Sequence, residues 1–460
     1  MGGLFGILNN SSGALQAFQR SLEVTQNNVS NANTPGYARQ WQPLESLSFN
    51  PARGLLGGVT AATVQNTRDE YAEQGVRTQQ ELLGNFSAQA QALSAIEPVF
   101  DVSGTSGIDG ALNDLFTSFS SWASSPGDPN ARQDVLAKAQ AVAASFQDAA
   151  AALSKATQSV NQQIGSTVQQ INALAQNIRD YNAAIQQGGQ PDAGLDAKLH
   201  DSLETLSGLA DVTVRFESDG TATVLLGGQT PLVIGNQVNP INVSAGNSAV
   251  ITDSDGTDIT SQISQGTLGG LLAVRNSTLP AIQGDASQQG SLNQLAQKVA
   301  DRVNQILTSG QITTGTPGQP LFTYSANSVA STLAVDPNIT AANLAAIDPG
   351  PPVVANGAAL ALANLGNSTN AADQINGQTI LQFYSSIAAQ VGQQTSNATN
   401  GQDLHQSLLA QAQSFRTQVS GVSLDQEAAQ ILQLQQSYQA ASKMVTIIDT
   451  LTQSLIDMPI

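Results

Sequence analysis

Few residues of this sequence have the types and spacing that catalysis or metal binding requires. The two histidines, His200 and His405, are far apart, and each lies on a helical stretch near an acid, Asp201 or Asp403. A lone histidine on a helix is usually a surface or capping residue. The 460 residues include no cysteine, which excludes thiolate chemistry, disulfides and cysteine-based zinc sites. We therefore predict no catalytic residue and no metal site.

One short acidic stretch resembles a calcium loop. It runs from Asp253 to Asp258, but an EF-hand needs a bidentate acid at its twelfth position, where Ser264 stands, so turn formation explains it better. The glycines between Gly2 and Gly6 precede the first helix without a strand and do not form a nucleotide-binding motif. The spacing of the other acids selects no glycosidase-like pair. The sequence predicts a protein that is not an enzyme and binds no cofactor.

The composition excludes two kinds of partner. Lys and Arg number 16 and Asp and Glu 34, so the net charge is −18 and the pI about 4.2, which argues against a nucleic-acid-binding surface. No apolar run reaches the roughly 20 residues of a membrane span, and residues 1–10 lack the features of a secretory signal peptide. If the chain is exported, we expect a route that cleaves no such peptide.

The first element that could position an interface is a helix from about Leu8 to Val29. Large apolar residues form one stripe along it, namely Leu8, Leu15, Phe18, Leu22 and Val29. Repeats of seven residues place such side chains on one helix face. The segment from Asn31 to Gly36, with Thr34 and Pro35, then ends the helix.

Helical patterning also dominates the middle of the chain. One heptad register runs from Pro129 to Gln187, with Gly188, Gly189 and Pro191 ending it. Further helices are predicted for Leu279–Leu307 and Gln378–Val419, whereas residues 325–376 are weakly patterned. Between Val212 and Ile263 the apolar period changes to two, with Gly-containing turns, which predicts a small β unit.

The last segment has the most regular pattern. Leu424–Ile456 is predicted as one helix, and its apolar seam consists of Ile431, Leu434, Tyr438, Ala441, Val445, Ile448 and Leu455. An apolar stripe on a lone helix gains nothing until it meets a partner. We therefore expect both ends to be flexible in a monomer and ordered in an assembly. The alternative is that the two terminal helices pair with each other inside one compact chain.

Together these patterns predict a mainly α fold. It has a long helical bundle or coiled-coil core, a small inserted β domain, and helical termini that are flexible in the monomer. Residues 46–210 with 266–419 form the predicted helical core domain, and residues 211–265 the β domain. Residues 1–45 with 420–460 supply the terminal heptad helices.

Motifs at both ends resemble a known family. The segment Asn27–Tyr37, which includes Asn-Thr-Pro-Gly, looks like the signature of the axial proteins of the bacterial flagellum. Ser420–Ala429 and Gln435–Lys443 are similar to the closing helix of the hook-associated proteins of the hook-filament junction, as are internal stretches at Asp219–Gln229 and Gly269–Arg275.

The resemblance implies a structural protein that joins hook to filament by self-assembly through its terminal helices, which would form the axial inner tube. The implied partners are further copies in a ring, hook protein, the third hook-associated protein, an export chaperone and the flagellar type III apparatus. The chaperone would bind Val445, Ile448, Leu451 and Leu455. The implied location is extracellular. The alternatives are another rod or hook axial protein, and a secreted adhesin that acts through the β domain.

Overall fold

The computed structural model describes residues 2–50, 55–102, 104–188 and 192–457, and helices dominate it. The long helices form where the sequence has sustained apolar periodicity. The α-helices are α1 (Gly2–Ser30), α2 (Glu70–Ser94), α3 (Gly107–Ser124), α4 (Pro129–Gly188), α5 (Ala193–Leu209), α6 (Gly266–Ala273), α7 (Leu279–Gln283), α8 (Ser291–Ser309), α9 (Val329–Thr332), α10 (Gly357–Asn364), α11 (Ile380–Ser420) and α12 (Leu424–Ile456).

The strands are short and pair antiparallel with near neighbours in the chain. They are β1 (Gln40–Trp41), β2 (Leu44–Ser46), β3 (Phe49–Asn50), β4 (Leu55–Leu56), β5 (Val59–Ala61), β6 (Gln65–Asn66), β7 (Val212–Phe216), β8 (Ala222–Leu226), β9 (Thr230–Ile234), β10 (Gln237–Val238), β11 (Asn242–Ala245), β12 (Ala249–Thr252), β13 (Gln311–Thr313), β14 (Thr316–Pro317), β15 (Phe322–Thr323) and β16 (Ala334–Val335).

The chain forms two compact units. The first contains residues 1–82, 171–240 and 405–460, and the second contains residues 83–170 and 241–404. The predicted β region is divided between them, because β7–β10 belong to the first unit and the β11–β12 hairpin to the second. The three-domain division predicted from the sequence follows other boundaries and stays a prediction.

Helix α4 confirms the long heptad pattern. Asp128 caps its first turn, where the Asp128 Oδ1 atom accepts a hydrogen bond of 2.9 Å from the backbone N–H of Asn130. The core positions Phe146, Leu153, Ile164, Ile171 and Ile178 are all fully buried. The predicted terminator Gly188 is the last helical residue, whereas Gly189 and Pro191 lie outside the described residues.

The predicted helix Leu279–Leu307 is wrong as a single element. Helix α7 ends at Gln283, and α8 begins at Ser291. Between them Gly284 has φ 87° and Gly290 has φ 75°, a conformation that side chains with a Cβ rarely adopt. The two glycines approach each other closely, so the chain makes a turn there and the apolar pattern continues on a new helix.

The second unit packs around large side chains of α3, α4, α8 and α11. Phe119, Trp122 and Tyr384 are fully buried, and the Tyr384 hydroxyl donates a hydrogen bond of 2.9 Å to the backbone oxygen of Asp101. Arg275, at the end of the motif Gly269–Arg275, is also buried. Its guanidinium donates to the backbone oxygens of Gly246 and Asn247 in the β11–β12 turn, at 2.8 and 3.1 Å.

In the first unit, the side chain of Asn182 fixes a four-stranded sheet of order β10-β9-β8-β7 against α4. Asn182 is fully buried. Its Nδ2 group donates to the backbone oxygens of Ala222 and Gly235, at 2.8 and 2.9 Å, and its Oδ1 atom accepts from the Ala222 N–H at 2.8 Å. One amide therefore satisfies three backbone groups, two of them on buried Ala222.

We expect Asn182→Ala to lower the free energy of unfolding by about 2–4 kcal/mol, because it leaves the buried N–H and oxygen of Ala222 unpaired, along with the partly buried oxygen of Gly235. Urea unfolding followed by circular dichroism measures the loss. Asn177→Ala, at an exposed position of the same helix, is the control and should change the unfolding free energy by less than about 0.5 kcal/mol. Equal effects of the two substitutions would contradict the assigned role of Asn182.

Candidate assembly interface

The two terminal helices pack against each other in the first unit. The Nδ2 group of Asn28, near the end of α1, donates a hydrogen bond of 2.9 Å to the Oε2 atom of Glu427 at the beginning of α12. Because the end of one helix is joined to the start of the other, α1 and α12 run antiparallel. The alternative that the sequence left open, pairing within one chain, is thus the arrangement in this structure. Flexibility of the termini in dilute solution stays a prediction.

The buried face of α1 consists of small and polar residues. Among the α1 side chains that the structure describes, the buried ones are Ala17, Ser21, Thr25 and Asn28, at spacings of four, four and three residues. The hydroxyl of Thr25 donates to the backbone oxygen of Ser21 at 2.8 Å, and that of Ser21 to Ala17 at 3.1 Å, so burial leaves neither unpaired. These small side chains allow a close approach between helix backbones.

Helix α12 divides its large apolar residues between two faces. Leu434 and Ile448 are buried with Glu427. By contrast, other large side chains of the helix lie exposed, namely Leu432, Tyr438, Met444, Ile447 and Leu451. Successive helix residues are about 100° apart, so Met444, Ile447 and Leu451 share a stripe beside the buried face. The helix pair therefore leaves apolar surface of α12 uncovered.

The structure brings the predicted seam residues together only in part. Leu434 and Ile448 are buried. Half-buried residues are Leu8, Leu15, Phe18, Leu22, Ile431, Ala441 and Val445. Val29, Tyr438 and the chaperone candidate Leu451 are exposed, and the side chain of Leu455 lies outside the described residues. The role of this set in assembly stays a prediction.

A buried carboxylate joins the end of α1 to the beginning of α12. The side chain of Glu427 is fully buried, and its Oε1 atom lies 2.6 Å from the Nε atom of Arg39. The Arg39 guanidinium also donates to the Oε1 atom of Gln430 at 3.0 Å, and its backbone N–H donates to the oxygen of Ser420 at 2.9 Å. We call Asn28, Arg39 and Glu427 the basal clamp. A buried ion pair of this kind fixes position more than it adds stability.

Neighbouring groups complete the basal clamp. The Oδ1 atom of Asn28 accepts hydrogen bonds of 2.9 Å from both the hydroxyl of Tyr37 and the backbone N–H of Gln40. Burial, and then the charge of Glu427, raise the pKa of Tyr37 to about 12, so the phenol stays protonated and keeps donating. The clamp thus links the N-terminal motif to the beginning of α12.

The turn after α1 is fixed by charge and by close packing. Gly36 has φ 70°, and a Cβ atom there would lie 2.2 Å from the backbone oxygen of Ala197 in α5, so only glycine fits. The Gly36 oxygen accepts a hydrogen bond of 2.7 Å from Arg68. The same guanidinium pairs with Glu73 and Asp196, each at 2.6 Å. The Asn-Thr-Pro-Gly turn is therefore anchored to α2 and α5.

The C-terminal motif is anchored beside it. The Ser420 hydroxyl accepts a hydrogen bond of 2.9 Å from the backbone N–H of Asp69. Arg416, one turn earlier in α11, pairs with Glu204 at 2.5 Å and with Glu73 at 3.2 Å. Motifs separated by almost the whole chain thus meet at one end of the helix pair.

The histidines occupy structural positions. His200 is buried, not on the surface as a lone helical histidine usually is, and its ring stacks on Phe216 with centroids 5.0 Å apart. Burial, and then the charges of Arg68 and other arginines, hold the pKa of His200 well below its ordinary value. His405 lies 3.0 Å from the Oε1 atom of Gln79. The imidazole of His200 is therefore neutral at physiological pH.

The acidic loop forms a turn. The Oδ1 atom of Asp253 accepts hydrogen bonds from the backbone N–H groups of Asp255 and Thr257, at 3.0 and 2.8 Å, as predicted from its sequence. In the part of the chain that the structure describes, no group of three or more His, Asp or Glu side chains is arranged to hold a metal ion. Among the described helices, none is long and apolar enough to span a membrane.

Sequence reasoning missed the residues of the basal clamp. Asn28 and Glu427 both lie in segments that were singled out as motifs, but apolar periodicity assigns no role to polar residues. The signal that could have identified the clamp is Glu427, an acid seven residues before Leu434 and therefore on the inward-facing side of α12. A charge at such a position requires a partner, and Arg39 is a cation close to the N-terminal motif.

Family models match three parts of the chain. A model described as flagellar basal body rod protein matches residues 8–37, and the model of the C-terminal region of the flagellar basal body rod proteins FlgEFG matches residues 413–458. These are the segments of the helix pair, and they define a flagellar axial protein. The model of the flagellar hook-associated protein FlgK helical domain matches residues 93–322, half of the chain. The chain belongs to the FlgK family of flagellar hook-associated proteins.

Curated relatives agree with this family. Flagellar hook-associated protein 1 of Bacillus subtilis is 27% identical over an alignment that covers 96% of each chain. The protein of the same name from Salmonella typhimurium is 24% identical over 69% of this chain and 59% of its own length. The role of the chain is the structural one of the family, at the junction of hook and filament. The two alternatives, another axial protein and an adhesin, receive no support.

A solved structure has the same fold. The flagellar hook junction protein FlgK from Burkholderia pseudomallei superposes with a TM-score of 0.65 at 19% identity, over 76% of this chain and all of that one. The predicted mainly α fold with small β sheets is thereby confirmed.

We expect Glu427→Ala to lower the free energy of unfolding of the first unit by about 3–5 kcal/mol, because it leaves the Arg39 cation and the Asn28 amide without their shared partner. Glu427→Gln, which keeps the shape and one acceptor, should cost about 1–3 kcal/mol. Urea unfolding measures both, and amide hydrogen exchange should rise first in α12. Asp425→Asn, at an exposed position in the same turn, is the control. A Glu427→Ala effect no larger than the control would contradict the clamp.

Glu81 gives stability a pH dependence. Its Oε1 atom accepts a hydrogen bond of 3.2 Å from the Val212 N–H, and burial raises its pKa to about 8 from an ordinary value of 4.5. The folded state holds this proton more tightly than the unfolded chain does. The resulting stabilisation is complete below pH 4.5 and is lost as the pH rises through 8.

We therefore expect Glu81→Gln, which stays neutral and keeps the acceptor, to be more stable than the wild type at pH 8 by on the order of 2–4 kcal/mol, and not at pH 4.5. Urea unfolding at both pH values measures this difference. If the two proteins differ in unfolding free energy by the same amount at pH 4.5 and at pH 8, the raised pKa of Glu81 is contradicted.

Proposed function

We propose that the α1–α12 pair is the self-assembling part of this junction protein, and that several copies form a ring through it. One observation carries the proposal: α12 leaves Met444, Ile447 and Leu451 exposed in a single chain although its other face is already packed. Burial of a large apolar side chain contributes about 1.5–3 kcal/mol. A second layer of helices around the pair would recover this free energy.

The predicted seam fits this proposal when its residues are divided between two contacts. Leu434 and Ile448 belong to the contact within one chain. The partly or wholly exposed members, among them Leu8, Leu15, Leu22 and Tyr438, would meet neighbouring copies. In this proposal residues 1–45 with 420–460 act as the axial inner-tube domain. Residues 46–210 with 266–419 and the β region 211–265 do not belong to that domain.

We propose hook protein and the third hook-associated protein as the neighbours along the axis, and an extracellular location reached by flagellar type III export without a cleaved signal peptide. Membership of the family supports association with other axial components of the flagellum. The two named neighbours, the location and the export route are part of the proposal. No catalytic activity is proposed, because assembly accounts for the features described above.

Before export, a chaperone would cover the same surface. Leu451 is exposed and Val445 half-buried, so a chaperone can reach them while α12 stays on α1. Ile448 is buried, so its contact with a chaperone requires that α12 leave α1. Of the four proposed chaperone residues, Val445, Ile448 and Leu451 therefore differ in accessibility, and the side chain of Leu455 lies outside the described residues.

Two adjacent isoleucines offer a matched test. Ile447 is 53% exposed and Ile448 is 4% exposed. In a strain that lacks its own copy, Ile447→Asp should abolish swimming and remove the subunit from isolated flagella, with a change in unfolding free energy below about 0.5 kcal/mol. Ile448→Asp should destabilise the monomer by several kcal/mol, because it buries a charge without a partner.

Gln435→Asp, at an exposed position on another face of α12, controls for the added charge and should leave swimming intact. Normal swimming and normal subunit content with Ile447→Asp would overturn the proposal, since the exposed stripe would then have no part in assembly.

A further inference from the structure

A β-hairpin follows α1 and carries exposed apolar residues. Strands β2 and β3 pair with β5 and β4 in one continuous register, in which Leu44 lies opposite Ala61 and Phe49 opposite Leu56. Backbone hydrogen bonds from Leu47 to Gly58 and from Gly57 to Ser48 join the two halves. The pairs form one hairpin of residues 44–50 and 55–61.

One face of this hairpin carries large apolar side chains together with one charge, Glu45, and one hydroxyl, that of Thr60 opposite Glu45. Glu45, Leu47 and Phe49 alternate along the first strand and so lie on the same side, with Leu56 opposite Phe49. The side chain of Phe49 is 73% exposed, and Leu47, Leu56 and Glu45 are exposed too. Leu56 touches α1 at Gly6. Glu45 is the one charged residue in residues 44–50 and 55–61.

The exposed stripe of α12 has the opposite charge. Lys443 lies one turn before Ile447 on the same side of the helix and is exposed. It is the one charged residue between Ala428 and Ile448. Within the described residues neither Lys443 nor Glu45 makes an ion pair.

We propose that the hairpin face of one copy docks on the α12 stripe of a second copy, with Phe49 and Leu47 against Met444, Ile447 and Leu451, and Glu45 paired with Lys443. The proposal rests on the proposed function and names the contact by which the copies join. Because two different surfaces meet, the contact is heterologous and repeats from copy to copy, which generates a ring or a helix.

Charge favours a second copy as the occupant, and the small area sets the strength of the contact. The chain has a net charge of −18, so two copies repel each other unless they meet at a surface without excess acid. Here a single acid meets a single base within apolar surroundings. Each patch contains only three or four large side chains, well below the roughly 800 Å² per partner of a stable dimer. The contact is therefore weak for one pair of copies and effective only when repeated in an assembly.

Cross-linking tests the contact directly, because the chain has no natural cysteine. Glu45→Cys and Lys443→Cys, on separate chains produced together in a strain without its own copy, should join through a short bismaleimide in isolated flagella. The product is a band of twice the chain mass. Ser442→Cys replaces Lys443→Cys in the control, since this neighbouring exposed residue lies about 100° around the helix.

The outcomes separate the two proposals. If the chains are absent from isolated flagella, the proposed function fails. If they are present but Glu45→Cys joins neither partner, or joins Ser442→Cys equally well, the docking contact is overturned.

Charge reversal gives an independent result. Glu45→Lys or Lys443→Glu alone should lower the subunit content of isolated flagella by roughly two- to fivefold, because like charges meet at each contact. The double variant should restore it. A double variant that is no better than the single ones would contradict the pairing.

Discussion

The arrangement of the first unit depends on the burial of one carboxylate. Glu427 has no access to water, and an uncompensated charge in such a place costs several kcal/mol. The cost is offset only when the Arg39 guanidinium and the Asn28 amide are both in position. The beginning of α12 can therefore lie at one point only, beside the end of α1. An apolar seam alone does not impose such a register, because aliphatic side chains tolerate sliding by one heptad.

Because the basal clamp sets the register, the contact between the two helices can be made of small residues. Because Ala17, Ser21 and Thr25 are small, they let the backbones of α1 and α12 approach closely, and they add little apolar area. The large apolar residues are then free to lie elsewhere, and on α12 several of them lie on an exposed face. In an ordinary two-helix coiled coil both helices place their largest side chains in the seam, whereas here α12 contributes Leu434 and Ile448 and the buried α1 positions that the structure describes are small or polar. It is the arrangement expected of a helix pair that has further partners.

The sequence predicts helices better than it predicts contacts. The bounds of α12 and the start of α4 agree with the structure to the residue, because periodicity and capping are local properties. The partner face of α1 was not predictable in the same way, since Ser21 and Thr25 are read as exterior residues unless the covering element is known. The break after Gln283 was missed because the apolar period continues from α7 into α8. The turn between them is visible only in the positive φ angles of Gly284 and Gly290. Neither the burial of His200 nor the pairing of Glu427 follows from spacing, because each depends on residues far away in the chain.

The distribution of charge indicates why α12, and not another long helix, has the exposed apolar face. Acids exceed bases by 18 over the whole chain, so copies that approach each other at random positions repel. Between Ala428 and Ile448 there is no acid at all, and the polar positions are mostly glutamines. Amide side chains donate and accept hydrogen bonds without adding like charge at each repeat. The acids of α12 are Asp425 and Glu427 in its first turn and Asp449 in its last third, and Arg39 neutralises Glu427. The middle of α12 is thus a stretch without acids, where further copies can approach without repulsion between like charges. Two residues of the apolar stripe, Met444 and Ile447, lie in it.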